Sequence, residues 1–113
     1  MNPSGRAVLL AVGGGIAAYK SAILCSRLVQ SGIDVRAAMT AGATEFLGAS
    51  TLAALSGKPV GCHSFDSGRF PLGAHIELGR QLDLMIVAPA TANLIAKFAA
   101  GVADDLVSTL YLQ

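Results

Sequence analysis

Four short runs of apolar residues alternate along the chain with amphipathic stretches: Ala7–Val12 (AVLLAV), Asp34–Thr40 (DVRAAMT), Pro59–His63 and Leu84–Ala88 (LMIVA). The first and last are continuous and carry β-branched members, the pattern of strands buried on both faces. Between the first two runs, Ala18, Ala22, Leu24, Cys25, Leu28 and Val29 share one face at about 100° per residue, which predicts a helix ending near Ser31. Gly42–Leu47 and Ala49–Leu55 read as short helical pieces closed by Gly57, with Phe46 as an apolar anchor. Ser64–Gly73 is a loop by composition. Pro89 ends the fourth run because it cannot donate to a central ladder. Thr91, Ala92 and Asn93 then open a helix that runs past Phe98 to Gly101. A last helix is expected from Asp104 to Leu112, with Asp104 and Asp105 capping it and Leu106, Val107 and Leu110 as its apolar stripe. Strands alternating with helices predict the α/β class: a Rossmann-like, doubly wound parallel sheet with the four runs in order 3-2-1-4.

Composition adds two constraints. At 113 residues the chain fits one domain, residues 1–113. Only 13% of residues are charged while 53% are hydrophobic, against roughly a quarter charged in a typical soluble domain. So small and apolar a chain is expected to bury surface against partner subunits. Ile16, Tyr19 and Ile23 intrude on the polar side of the first helix and are the candidates for that contact. A net charge of +1 without a basic cluster points away from nucleic acid and anionic membranes. No apolar run approaches the ~18 residues of a membrane span. The N-terminus mimics a secretory signal, but Gly13, Gly14 and Gly15 break its apolar run in the centre. Cys25 and Cys62 form no CxxC and read as reduced thiols, Cys25 as core packing; the protein is expected to be soluble and cytoplasmic.

The candidate chemistry gathers where the runs end. Gly13–Ala18 fits G-x-G-x-x-A, in which glycine lets backbone N–H groups at a helix N-terminus approach a phosphate. A dinucleotide site would need an acid at the end of the second strand. Thr40 stands there instead, and a hydroxyl suits a phosphate or ribityl chain better than an adenosine ribose, so NAD is not expected. After the fourth run, Thr91 is either a plain N-cap or part of a ligand edge with Asn93, whose amide both donates and accepts. His75, in AHIELGR, reads either as a loop histidine or as a general acid/base. No second His or Cys lies at ligand spacing, so no metal is expected. Lys20, His63, Asp66 and Arg69 read as solvated.

Taken in order and spacing, GGGIAAYKS, MTAGATEFL, HIEL and APATANLIAKFAAGVADDLVST cover essentially residues 6–112 and resemble the homo-oligomeric flavin-containing cysteine decarboxylases. Within that family the similarity is to the branch that decarboxylates phosphopantothenoylcysteine to phosphopantetheine in coenzyme A biosynthesis. The resemblance implies FMN as cofactor, with Gly14, Gly15 and Ile16 in the first-strand loop that holds it and Thr40 on the second strand. It implies that Thr91, Ala92, Asn93 and Leu94 contact the flavin and that His75 is the active-site histidine. It implies oxidation of the cysteinyl thiol end, which turns the carboxylate into a leaving group as CO2, in a homotrimer or homododecamer with FMN between protomers. Gly13 stands where these proteins often have threonine. Family members continue past the position of Gln113 into another strand, a PxMNxxM substrate segment and a flap with a catalytic cysteine, which neither Cys25 nor Cys62 matches. The later strands and the clamp are therefore expected to be lacking, with a strand edge unpaired. Two other functions fit the same fold, flavin prenyl transfer and FMN binding without turnover; HIEL and IAAYKS favour the decarboxylase.

Overall fold

The computed structural model describes residues 5–66 and 68–113; Ser67, inside the expected loop, lies outside the described residues. Strand β1 (Ala7–Val12) is the centre of the molecule, buried along its whole length. Strand β2 (Asp34–Met39) pairs parallel on one side, from Ala7↔Asp34 to Val12↔Met39. Strand β3 (Leu84–Val87) pairs parallel on the other, from Val8↔Leu84 to Ala11↔Val87. The sheet order is β2-β1-β3.

The expected third strand, Pro59–His63, is reduced to one parallel bridge between Gly61 and Ala38 on the outer edge of β2. Gly61 N–H donates to the Ala37 carbonyl at 2.9 Å, and the Gly61 carbonyl accepts from Met39 N–H at 2.8 Å. The spatial order of the four runs is thus the expected one. Pro59 supplies no N–H to a longer ladder, and a Cβ on Gly61 would stand 2.5 Å from Leu78 and 2.7 Å from Leu106. Glycine here lets the overlying helices close on the sheet.

Helix α1 (Ala18–Gln30) connects β1 to β2. A turn of 3-10 helix (Ala43–Glu45) and α2 (Ala49–Ser56) follow β2, and Gly57 closes α2 in the left-handed region at φ 73°. Then come α3 (Ala74–Gly79), α4 (Ala92–Ala100), stopped by Gly101 at φ 71°, and α5 (Leu106–Leu112). Asp105 caps α5 in a reciprocal capping box with Ser108, whereas Asp104 precedes the helix and pairs with Lys97 at 2.8 Å.

Side chains of β1 alternate between two cores, as a strand requires. Leu10 and Val12 join Ala18, Cys25, Met39 and Leu52 beneath α1 and α2. Leu9 and Ala11 join Leu78, Leu94, Leu106 and Leu110 on the opposite face.

Three expectations need correction. Phe46 is no anchor: it is 52% exposed, because Ala43 and not Phe46 is the residue of that turn facing the core. The segment AHIELG is helical; only Ala74 and Leu78, one turn apart, are buried on it, too short a pattern to stand out from the loop. β3 is not buried on both faces: Leu84 is 56% exposed and the other three residues are half-buried. It is an edge strand among the described residues. No helix among the described residues is long and apolar enough to cross a membrane.

Candidate functional site

Because the three strands run parallel, their carboxyl ends open onto one edge of the sheet, the usual ligand edge of such folds. Three segments meet there: 13–17 after β1, 40–43 after β2 and 88–93 after β3. Backbone bonds stitch them together. Thr40 N–H donates to the Val12 carbonyl at 3.1 Å, Gly13 N–H to the Pro89 carbonyl at 3.1 Å, and Ala88 N–H to the Ala11 carbonyl at 2.9 Å.

The three glycines differ in what requires them. A Cβ on Gly13 would lie 2.4 Å from the Pro89 oxygen, and one on Gly14 would lie 2.7 Å from the carbonyl carbon of Gly42. Both are demanded by the chain's own packing. A Cβ on Gly15 would meet only Pro89 Cγ, at an ordinary 3.7 Å. Its bare backbone is open to whatever approaches from outside. The N–H groups of Gly14, Gly15 and Ile16 donate to no backbone carbonyl among the described residues. They lead into α1, 13 residues long, whose N-cap Ala17 offers no capping side chain. Unsatisfied donors at the positive end of a helix make an anion cradle.

Hydroxyls flank this cradle. Thr40 Oγ1 accepts from Ala43 N–H at 3.1 Å, which leaves its own hydrogen to donate. Thr91 Oγ1 accepts from Leu94 N–H at 3.2 Å and is the N-cap of α4. Ala92 and Asn93 are exposed on the first turn of that helix, whereas Leu94 turns into the core. Ile16 is 83% exposed. The structure thus brings Gly14, Gly15, Ile16, Thr40, Thr91, Ala92 and Asn93 to one edge, with Leu94 as packing beneath them. His75 is half-buried near the start of α3, and its carbonyl accepts from Gln113 Nε2 at 2.7 Å. No hydrogen bond among the described residues joins it to the three segments.

One participant went unread in the sequence. Ser21 is buried, and its Oγ donates to the Ala88 carbonyl at 2.5 Å. The available signal was its spacing, since Ala18, Ser21 and Cys25 are the buried stripe of α1.

The titratable groups with shifted values serve the fold. Burial acts to raise the Asp105 carboxyl, but its bonds from Ser108 and the Lys97 charge outweigh this and hold it below the usual range. The hydrogen bond to Asp104 raises the Lys97 ammonium. Burial pushes the Cys25 and Cys62 thiols up, away from nucleophilic thiolate character. Among the described residues no three His, Cys, Asp or Glu side chains are grouped to hold a metal.

An open amide cradle at the carboxyl edge of a doubly wound sheet defines a Rossmann-like α/β binding protein. Residues 1–113 match the Flavoprotein family throughout, and the chain belongs to that family. It is 50% identical over 112 residues to the coenzyme A biosynthesis bifunctional protein CoaBC of Escherichia coli (strain K12), covering 99% of this chain and 28% of that protein. Among solved structures it is similar to the FMN-dependent cysteine decarboxylase SpaF, with a TM-score of 0.81, 29% identity, and 95% and 62% of the two chains covered. It is also similar to a PPC decarboxylase mutant complexed with pantothenoylaminoethenethiol, with a TM-score of 0.74, 30% identity, and 95% and 59% covered. The chain thus spans little more than a quarter of the length of the curated relative. The family resemblance read from the motifs holds, and so does the Rossmann-like parallel sheet.

Proposed function

We propose that residues 1–113 form a single FMN-binding domain whose function is decarboxylation of phosphopantothenoylcysteine in coenzyme A biosynthesis. The observation that carries this reading is the cradle: N–H groups of Gly14, Gly15 and Ile16 that donate to no carbonyl among the described residues, before a helix N-terminus, with the Thr40 hydroxyl beside them. These donors fit a phosphate monoester dianion, and Gly15 leaves room for its approach. On the β3 side, Thr91, Ala92 and Asn93 would face the heterocycle, with the Asn93 amide matching its mixed donors and acceptors. FMN held there would take two electrons from the cysteinyl thiol end, which lets the carboxylate leave as CO2, and would return them to the decarboxylated product to give phosphopantetheine. His75 would then hold or move a proton at the substrate.

The same reading makes the working unit a trimer or a multiple of it. Ile16, Tyr19 and Ile23 are 83%, 56% and 51% exposed, an apolar stripe that water does not favour. Ile16 belongs both to this stripe and to the cradle, so a neighbour seated on the stripe would also close the flavin site. His75, unlinked to its own chain's cradle, is then a candidate to complete a neighbour's site. Free Cys25 and Cys62 accord with a reducing cytoplasmic setting.

The test is product analysis by mass spectrometry after incubating the flavin-loaded protein with phosphopantothenoylcysteine. Loss of CO2 from the substrate is the expected result. A prenylated flavin when an allyl phosphate is supplied would transfer the site to prenyl chemistry, and unchanged substrate would leave a binding module.

A further inference from the structure

We propose that Ser21 is a positioning residue for the flavin: its hydroxyl clamps the 88–91 turn against the helix that carries the phosphate cradle. This rests on the FMN reading and gives a role to the last residue of the GGGIAAYKS block, for which the sequence reading had none.

The clamp follows from how the β1–β3 ladder ends. With Ala11 opposite Val87, a regular parallel ladder takes Ala88 N–H to Ala11 and would next take Gly13 N–H to the Ala88 carbonyl. The first bond is present at 2.9 Å, but Gly13 N–H goes one residue further, to Pro89, at 3.1 Å. The Ala88 carbonyl therefore loses its ladder partner just where the chain turns toward Thr91. Ser21 Oγ takes that place at 2.5 Å, from 67 residues away in sequence. A helical serine commonly bonds back to its own helix; this one is 2% exposed and reaches across to another element. One side of the site, Gly14 to Ile16, leads into α1, and the other, Thr91 to Asn93, follows the turn. Among the described residues, the Ser21 hydroxyl makes the side-chain hydrogen bond that fixes the first to the second.

Removing the hydroxyl leaves a half-buried carbonyl without its partner and frees the turn to shift relative to the cradle. Ser21→Ala is therefore expected to weaken FMN binding by roughly tenfold, the scale of one lost hydrogen bond at a half-buried acceptor. It should also alter the visible circular dichroism of the bound flavin. Cys25→Ala, one turn further along the same buried stripe, is the control for lost packing: it should lower the melting temperature yet leave FMN affinity within about twofold. In the flavin-free protein, amide exchange at Gly13 and Ala88 should accelerate in Ser21→Ala and not in Cys25→Ala. Parental affinity and flavin dichroism in Ser21→Ala, equal affinity loss in Cys25→Ala, or unchanged exchange at Gly13 and Ala88 would each overturn the positioning role while leaving the FMN reading intact. A parent protein that binds no FMN would overturn both.

Discussion

Gly14 and Gly42 meet backbone to backbone, so closely that a Cβ on Gly14 would stand 2.7 Å from the Gly42 carbonyl carbon. This contact fixes the loop after β1 against the loop after β2 and leaves Gly15, the next residue, facing outward. The two glycines should therefore fail differently. Gly14→Ala is expected to destabilise the fold by about 1–3 kcal/mol, the scale of overpacking a tight site. Gly15→Val should change stability by less than about 1 kcal/mol and still lose FMN. Melting curves paired with flavin absorbance after purification separate the two; full flavin content in Gly15→Val would displace the phosphate from this loop.

On the proposed reading, His75 serves the chemistry and not cofactor retention. His75→Asn should bind FMN like the parent while decarboxylation falls by about 100- to 10,000-fold, the usual contribution of a general acid or base. Turnover near the parental rate would return this residue to a structural role.

The Lys97–Asp104–Asp105 group has a pH signature. Asp105 is held below its ordinary value, so its stabilisation is present above the unfolded value of about 3.9 and is lost as pH falls through the lower folded one. Lys97 is raised, so its share is present below about 10.4 and is lost as pH rises through the folded value. Asp105→Asn keeps a cap acceptor and removes the charge. Its melting temperature should lie below the parent's at neutral pH and converge with it as pH falls through the lowered folded value of Asp105. A gap that does not depend on pH would assign the whole effect to capping.

Where the determinants are local, the sequence was informative. The apolar run of β1 followed by glycine, Pro89 ending β3, and Gly57 and Gly101 as helix stops each act within a few residues, and the structure shows them at those places. The segments that form the ligand edge were legible for the same reason. What stayed hidden depends on distant partners. Gly61 has to be glycine because Leu78 and Leu106 press on it. α3 is decided by packing on α5 and β2 more than by its own pattern. Ser21 looks like any polar helix residue until the Ala88 carbonyl is brought to it.

Assembly can be tested through the same helix. Tyr19→Glu with Ile23→Glu places two charges on the exposed apolar stripe, and light scattering should show a trimer or its multiple giving way to monomer. Weaker FMN binding should accompany the change, since Ile16 belongs to both surfaces. A parent that is already a monodisperse monomer would refute the assembly.

The central claim is that the Gly14–Ile16 amides and Thr40 hold the phosphate of a flavin. Its most direct measurement is a fluorescence titration of the purified chain with FMN and, in parallel, with riboflavin, which lacks only the phosphate. FMN should bind at least about 100-fold more tightly, the return expected from a few charge-assisted hydrogen bonds. Equal affinity for the two flavins, or no binding of either, would contradict the account.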